Sequence, residues 1–236
     1  MIELNADIGE GYDDAGLMPY LARVSVACGG HAGDAASMTA ALRLAAEYGV
    51  MVGAHPSYPD RANFGRLPRA ATKEAISAWV TQQIEVLYEQ ATRLGLRLVH
   101  VKPHGALYNV AAFDLDVAEA IASAVVKIDP SMLLVGLSGS LLLEAGQATG
   151  LGVLNEAFAD RCYQANGQLV SRETVGALLK DPIMAARQAR ALARGDPVIT
   201  LTGDTLRIPA DTLCLHSDTP NAVEIAQAIH AVLNRG

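Results

Sequence analysis

Seven short runs of about five residues, most of them continuously apolar, recur at 2–6, 23–27, 50–54, 96–101, 132–137, 152–156 and 212–215. Each is followed by a loop, and most by a stretch with helical periodicity. Strands that are apolar throughout, rather than alternating, are buried on both faces, as in a parallel sheet covered by helices. Seven such βα units without a Gly-X-Gly-X-X-Gly nucleotide fingerprint favour a closed or nearly closed α/β barrel over a doubly wound open sheet. In either architecture the ligand site lies at the carboxyl ends of the strands.

The helices carry their own signals. Ile76, Val80, Ile84, Leu87, Ala91 and Leu94 line one face of a long helix that ends at Gly95, a residue suited to the left-handed cap position. Asp181-Pro182 is an N-cap followed by proline at the first helical position, and that helix stops at Gly195. Thr219-Pro220 repeats the device before Ala222, Ile225, Ala226, Ile229 and Leu233. One segment breaks the alternation: residues 198–202 and 205–208, joined by Gly203-Asp204, form a predicted β-hairpin inserted before the last strand. No Pro- or Ser-rich linker interrupts the pattern, so residues 1–236 are expected to form a single (β/α) barrel domain.

Composition narrows the function. With 51% hydrophobic and 18% charged residues the chain can bury a sizeable core and is not a disordered one. A formal charge of −7 offers no basic stripe for phosphates, which argues against nucleic acid. No apolar run approaches the roughly 20 residues of a membrane span, and the acidic start does not read as a signal peptide. Cys28, Cys162 and Cys214 are too few and too scattered for a disulfide framework. These features predict a cytoplasmic protein with no membrane partner.

Titratable residues gather just after the strands: Asn5, Asp7 and Glu10 after the first, His31 and Asp34 after the second, and His55 and Asp60 after the third. Lys102-Pro103-His104-Gly105 follows the fourth, Glu156, Asp160 and Arg161 the sixth, and His216-Ser217-Asp218 the last. Five of the six histidines lie in or beside these segments, and one rim is expected to collect them. Asn5 and Asp7, Lys102 and His104, and His216 and Asp218 are each two apart, a spacing that puts both side chains on one face of an extended strand. A buried lysine demands an anionic partner, so Lys102-Pro103-His104-Gly105 is the sharpest of these signals. Asp7, His31, His55 and His104 are also candidate ligands for a divalent metal, since imidazole and carboxylate are common ligands. The blander readings are caps for Asp7, Glu10 and Asp218, structural hydrogen bonds for the histidines, and an inert buried thiol for Cys28.

Taken together, Leu4-Asn5-Ala6-Asp7-Ile8-Gly9-Glu10-Gly11, Ala27-Cys28-Gly29-Gly30-His31-Ala32-Gly33-Asp34, Gly53-Ala54-His55-Pro56-Ser57-Tyr58-Pro59-Asp60 and Val101-Lys102-Pro103-His104-Gly105-Ala106-Leu107-Tyr108-Asn109 resemble the LamB/YcsF lactam-utilisation family. Phe64-Gly65-Arg66, Glu156-Ala157-Phe158-Ala159-Asp160-Arg161 and His216-Ser217-Asp218 extend the resemblance over the whole chain. The departures are Gly30 where the family has a bulkier, often aromatic residue, Leu67 in place of a second arginine, and Ser217 in place of glycine.

The resemblance implies a seven-stranded barrel related to glycoside hydrolases and deacetylases. It also implies the A subunit of an ATP-dependent 5-oxoprolinase, opening 5-oxo-L-proline to L-glutamate with B and C subunits. On that reading Asp7 and His104 share acid–base work and Lys102 stabilises a developing oxyanion or phosphate. Arg66 or Arg161 would hold the substrate carboxylate, and Asn5, Glu10, His31, His55, Glu156, His216 and Asp218 would complete the substrate site. With no Walker A loop in the chain, ATP is expected on a partner or at an interface. Two other readings share the same rim residues: a stand-alone metal-dependent amidohydrolase or deacetylase, and a non-catalytic lactam-binding subunit.

Overall fold

The structure, a computed structural model, describes residues 2–234. Strand β1 (Glu3–Ile8) is followed by β2 (Arg23–Ala27), α1 (Ala35–Tyr48), β3 (Met51–His55), α2 (Lys73–Arg93) and β4 (Leu98–Val101). After these come α3 (Gly105–Ala111), α4 (Leu115–Ile128), β5 (Leu133–Leu137), α5 (Leu141–Ala148) and β6 (Val153–Phe158). The chain ends with α6 (Pro182–Arg194), β7 (Val198–Ile199), β8 (Thr205–Leu206), β9 (Thr212–Leu215) and α7 (Ala222–Leu233).

Seven of these strands close into a parallel barrel in the order β1-β2-β3-β4-β5-β6-β9. Closure comes from β9, which pairs with β6 through Glu156↔Thr212 and with β1 through Glu3↔Thr212. The expected barrel is therefore what forms, and the antiparallel hairpin β7–β8 stands outside it. Only Val198↔Leu206 and Ile199↔Thr205 pair in that hairpin, so its strands are shorter than the sequence predicts and its turn is longer.

The predicted ends at Asp181-Pro182, Gly195 and Gly95 hold, but Thr219-Pro220 does not cap α7: the N-cap is Asn221 at φ 63°, and the Thr219 hydroxyl is spent on Asp160 Oδ2 at 2.7 Å instead. Asp34 accepts from Ser37 N–H in a capping box at the start of α1, and Gly49 closes that helix at φ 67°. Asp181 caps α6 ahead of Pro182, and Gly195 ends it at φ 68°. Ile76, Val80, Ile84, Leu87 and Ala91 of α2 are all buried. Among the described residues no helix is long and apolar enough to cross a membrane.

The barrel interior is polar and layered. Low in the barrel, Asn5 Nδ2 donates to Thr212 Oγ1 at 2.8 Å, and Ser25 Oγ lies 3.2 Å from His100 Nε2. His100 is thus not part of the rim: four histidines reach that region, while His100 fills the barrel where Gly53 leaves room and a Cβ would strike its ring. The sixth, His230, lies on α7. Directly above the lower layer sit Asp7, His55, Lys102, Glu156 and Cys214.

Candidate active site

Lys102 follows the last residue of β4 and extends across the barrel axis. Its ammonium lies 2.7 Å from Asp7 Oδ1, off hydrogen-bonding geometry. It donates to Asn5 Oδ1 at 3.1 Å, Glu156 Oε1 at 3.0 Å and Cys214 Sγ at 3.4 Å. Tyr108 Oη donates to the other Glu156 oxygen at 2.8 Å. Burial pulls the Lys102 pKa down, but Asp7 and the other anionic neighbours outweigh it and hold the ammonium well above its ordinary range. Burial likewise opposes ionisation of Asp7, yet the His55 and Lys102 charges hold its carboxyl well below the usual value.

Beside this pair stand three imidazoles. His55 Nδ1 donates to the Lys102 carbonyl at 2.7 Å and His104 Nε2 to the Phe64 carbonyl at 2.9 Å. Those oxygens can only accept, so both tautomers are fixed. The remaining nitrogens, His55 Nε2 and His104 Nδ1, face each other at 3.0 Å, with Asp7 Oδ2 3.3 Å from His55 Nε2. Burial disfavours a proton on His55, but Asp7 overrides it and raises the His55 pKa. Burial and the neighbouring His55 charge push His104 well below its ordinary value. In the isolated chain the shared proton therefore belongs to His55.

His31 stacks on His104 with centroids 3.6 Å apart and donates from Nε2 to Glu10 Oε1 at 2.7 Å. Burial keeps it neutral, its pKa driven down to about 2. Burial also raises the Glu10 pKa, partly offset by His55 and His104. The Phe64 carbonyl is aimed by backbone in the left-handed region, φ 54° at Phe64 and 62° at Gly65. A side chain at Gly105 would meet the Gly65 carbonyl at 2.7 Å, so glycine there lets the loop close over His104.

The opposite wall is cationic. Asp218 Oδ2 accepts from Arg66 at 2.8 Å and from Arg172 at 2.7 Å, and the Arg172 charge holds Asp218 low against the effect of burial. Arg161 donates from Nη2 to the Val170 carbonyl at 2.6 Å, while its buried Nε has no partner among the described residues. His216 Nδ1 lies 3.0 and 3.1 Å from the two Asp160 oxygens, which orients its ring against Phe158.

A cavity of about 760 Å³ lies between the walls, lined by Asp7, Glu10, His55, Lys102, His104 and Glu156 on one side and by Arg66, Arg161, Arg172, His216 and Asp218 on the other. Two residues assigned to substrate from the sequence do not line it. Asn5 lies beneath Lys102, and His31 lies behind His104. Conversely, sequence reasoning does not single out Arg172, Tyr108 or Cys214 for the site. Tyr108 stands in the Val101–Asn109 segment of the family resemblance, but Arg172 sits in the long connection after β6, where no periodicity marks it.

A closed seven-stranded (β/α) barrel with a charged, histidine-rich mouth is the architecture of a small-molecule site at strand carboxyl ends. The chain belongs to the LamB/YcsF family, whose sequence pattern it matches over residues 2–236. It is similar to the A subunit of the 5-oxoprolinase of Chloroflexus aggregans, 47% identical over 234 residues that cover 97% of this chain and 93% of that protein. The corresponding 5-oxoprolinase A chain of Erwinia tasmaniensis is 44% identical over 229 residues, covering 97% and 94%. A lactam utilization protein from Thermus thermophilus has the same fold, with a TM-score of 0.92 and 42% identity over 99% of this chain and 96% of its own.

Proposed function

We propose that this chain is the A subunit of an ATP-dependent 5-oxoprolinase, which with B and C subunits converts 5-oxo-L-proline, water and ATP to L-glutamate, ADP and phosphate. Relatives bearing that name at 47% and 44% identity support the assignment. The observation that carries it is the pairing of two walls. The Asp7–Lys102 ion pair and the proton-sharing His55–His104 pair stand on one side, and Arg66, Arg161 and Arg172 stand on the other. A lactam with a carboxylate substituent needs both, an anion clamp and a water-activating set.

Ring opening joins the water oxygen to the lactam carbonyl carbon, breaks the ring C–N bond and leaves a protonated amine. An amide is a poor electrophile, so the carbonyl must be activated and the water deprotonated. Asp7, kept ionised by Lys102 and His55, takes the water proton. The proton shared by His55 and His104 is passed to the departing ring nitrogen, and Lys102 supplies positive charge to the oxygen where negative charge develops. Arg161, held by the Val170 carbonyl, and Arg172, held with Arg66 by Asp218, receive the substrate carboxylate. Glu156 and Asn5 position Lys102, Glu10 and His31 position His104, and His216 faces the substrate from the Asp160 side.

ATP would supply a phosphoryl group to the carbonyl oxygen, which makes the carbon electrophilic; ring opening by the first water would then leave an acyl phosphate, and a second water would release phosphate and glutamate. The chain has no glycine-rich phosphate loop, and the cavity is larger than a five-membered lactam requires, so we assign ATP to the interface with the partner subunits. Three buried free cysteines suit a reducing compartment, and we place the complex in the cytoplasm.

The test is ATP-dependent glutamate release by this chain with the two partner subunits added. Turnover should require all three and should fall by on the order of 100-fold or more in Lys102→Met and in His104→Ala. Near wild-type turnover in both variants would sink the reading.

A further inference from the structure

Among the described residues, Glu10 Oε1, His104 Nδ1 and His55 Nε2 converge at the cavity wall around a single proton carried by His55. His104 Nδ1 lies 3.0 Å from His55 Nε2 and 3.3 Å from Glu10 Oε1, and His55 Nε2 lies 3.7 Å from Glu10 Oε1. Tetrahedral coordination at bonds of about 2.0–2.1 Å places neighbouring ligand atoms ~3.3–3.4 Å apart, which these three separations bracket. The His55 and His104 rings cross at 81°, so one ion can lie in the plane of both lone pairs.

Their far sides are already arranged for coordination. Each ring directs its far N–H to a backbone carbonyl, Lys102 O for His55 and Phe64 O for His104, so that once the shared proton is displaced both Nε2 of His55 and Nδ1 of His104 are free to ligate. Glu10 is held from behind by His31 Nε2 at 2.7 Å.

His31 is excluded as a ligand alongside His104. The two rings are parallel within 5° and stacked 3.6 Å apart, so no single ion lies in the plane of both, and His31 does not line the main cavity.

We propose that Glu10, His55 and His104 bind one divalent first-row transition metal, with an open coordination position facing the cavity and Asp7 beside it. Two imidazoles and a carboxylate suit zinc, cobalt or iron rather than calcium or magnesium. The metal takes the place that the His55 proton fills in the metal-free chain. Three protein ligands with one open position is the pattern of a metal that binds a reacting water and lowers its pKa. His104 then holds the water through the metal, and Asp7 remains its base. That last assignment rests on the ring-opening reading; the ligand set rests on geometry alone.

The experiment uses the purified full chain, untagged and stripped with chelator, titrated with Zn²⁺ and separately with Co²⁺. One equivalent should bind per chain, and Co²⁺ should give the intense visible absorption of a four- or five-coordinate site. Glu10→Gln and His55→Ala should each weaken binding by on the order of 100-fold or more, His31→Ala by only about tenfold, and His230→Ala not at all. Absence of stoichiometric binding by the wild-type chain overturns the proposal without recourse to variants. Binding that survives Glu10→Gln and His55→Ala overturns it as well. A loss in His31→Ala equal to that in His55→Ala overturns the ligand set. Circular dichroism confirms that each variant is folded. Because metal binding is read without substrate, this result and the glutamate assay fail independently.

Discussion

Asp7 and Lys102, 95 positions apart in sequence, form an ion pair of 2.7 Å in which the lysine side chain is only 3% exposed. It joins β1 to the end of β4 across the barrel axis, with Glu156 of β6 as a second acid on the same ammonium. Removing one partner from such a pair leaves the other buried and uncompensated.

Lys102→Met should therefore cost about 3–5 kcal/mol of stability as well as activity. The double variant Lys102→Met/Asp7→Asn removes one of the stranded charges and should be clearly more stable than Lys102→Met alone. Urea unfolding of the three chains reads this. Equal midpoints for the single and double variants would show that Asp7 is not the partner that matters.

Asp160 gives an acid-side prediction. Burial opposes its ionisation, but the His216 charge and the hydrogen bonds from His216 and Thr219 outweigh that and lower its pKa from 3.8 to about 2. A folded-state pKa below the unfolded one contributes stability that is complete above the unfolded value and is lost as pH falls through the folded one. At about 1.4 kcal/mol per pH unit the contribution is on the order of 2 kcal/mol, lost between about pH 4 and pH 2. Asp160→Asn should be less stable by about that amount at neutral pH, and its unfolding midpoint should decline less than the wild type's over that acid window.

Asp14 shows the opposite sign. Burial raises its pKa from 3.8 to about 6, although its Oδ2 accepts from Gly9 N–H at 2.9 Å. The folded chain therefore holds this proton more tightly, and stability present below about pH 4 is lost as pH rises through 6. Asp14→Asn keeps an acceptor for Gly9 without the charge. Its gain is discounted to about 1 kcal/mol because the residue is part-exposed. Thermal unfolding should show that gain at pH 8 and none at pH 4; a loss at pH 8 would refute it.

Gly30, one of the departures from the family pattern, has a local explanation. A Cβ there would collide with Gln83 Oε1 and Ser57 Oγ. Gln83 accepts from Ser57 N–H at 3.0 Å and donates to the Ser57 and Trp79 carbonyls at 2.8 and 3.1 Å, filling the space an aromatic would take. Gly30→Phe should destabilise the chain by about 1–3 kcal/mol, and Gln83→Ala in the same chain should recover part of that. Chemical denaturation of both distinguishes overpacking from a backbone requirement, since Gly30 does not occupy the left-handed region.

Much of the barrel is legible in the sequence because its signals are local. Continuous apolar strands, Asp181-Pro182 at a helix start and Gly195 at its end act over a few residues, and all appear where expected. The spacing of two also holds at the first strand, where Asn5 and Asp7 both turn inward to Lys102. The hairpin is shorter than its pattern suggests because propensity at 198–202 and 205–208 has no sheet to extend it. Proximity to Lys102 and His104 in sequence draws His100 toward the rim, but strand register places it deeper, under Gly53.

The sequence by itself determined the architecture, the end of the barrel that carries the chemistry, and which residue types gather there. Tertiary structure decided which of their atoms meet: that His55 Nε2 and His104 Nδ1 face each other across one proton, that His31 stacks behind His104, and that Arg172 reaches Asp218. The physical reason is separation along the chain. Strand and cap preferences are set by nearest neighbours. A contact between residues 49 or 152 positions apart exists only once distant strands have come together: β3 beside β4 for His55–His104, and β9 against β1 for Arg66–Asp218.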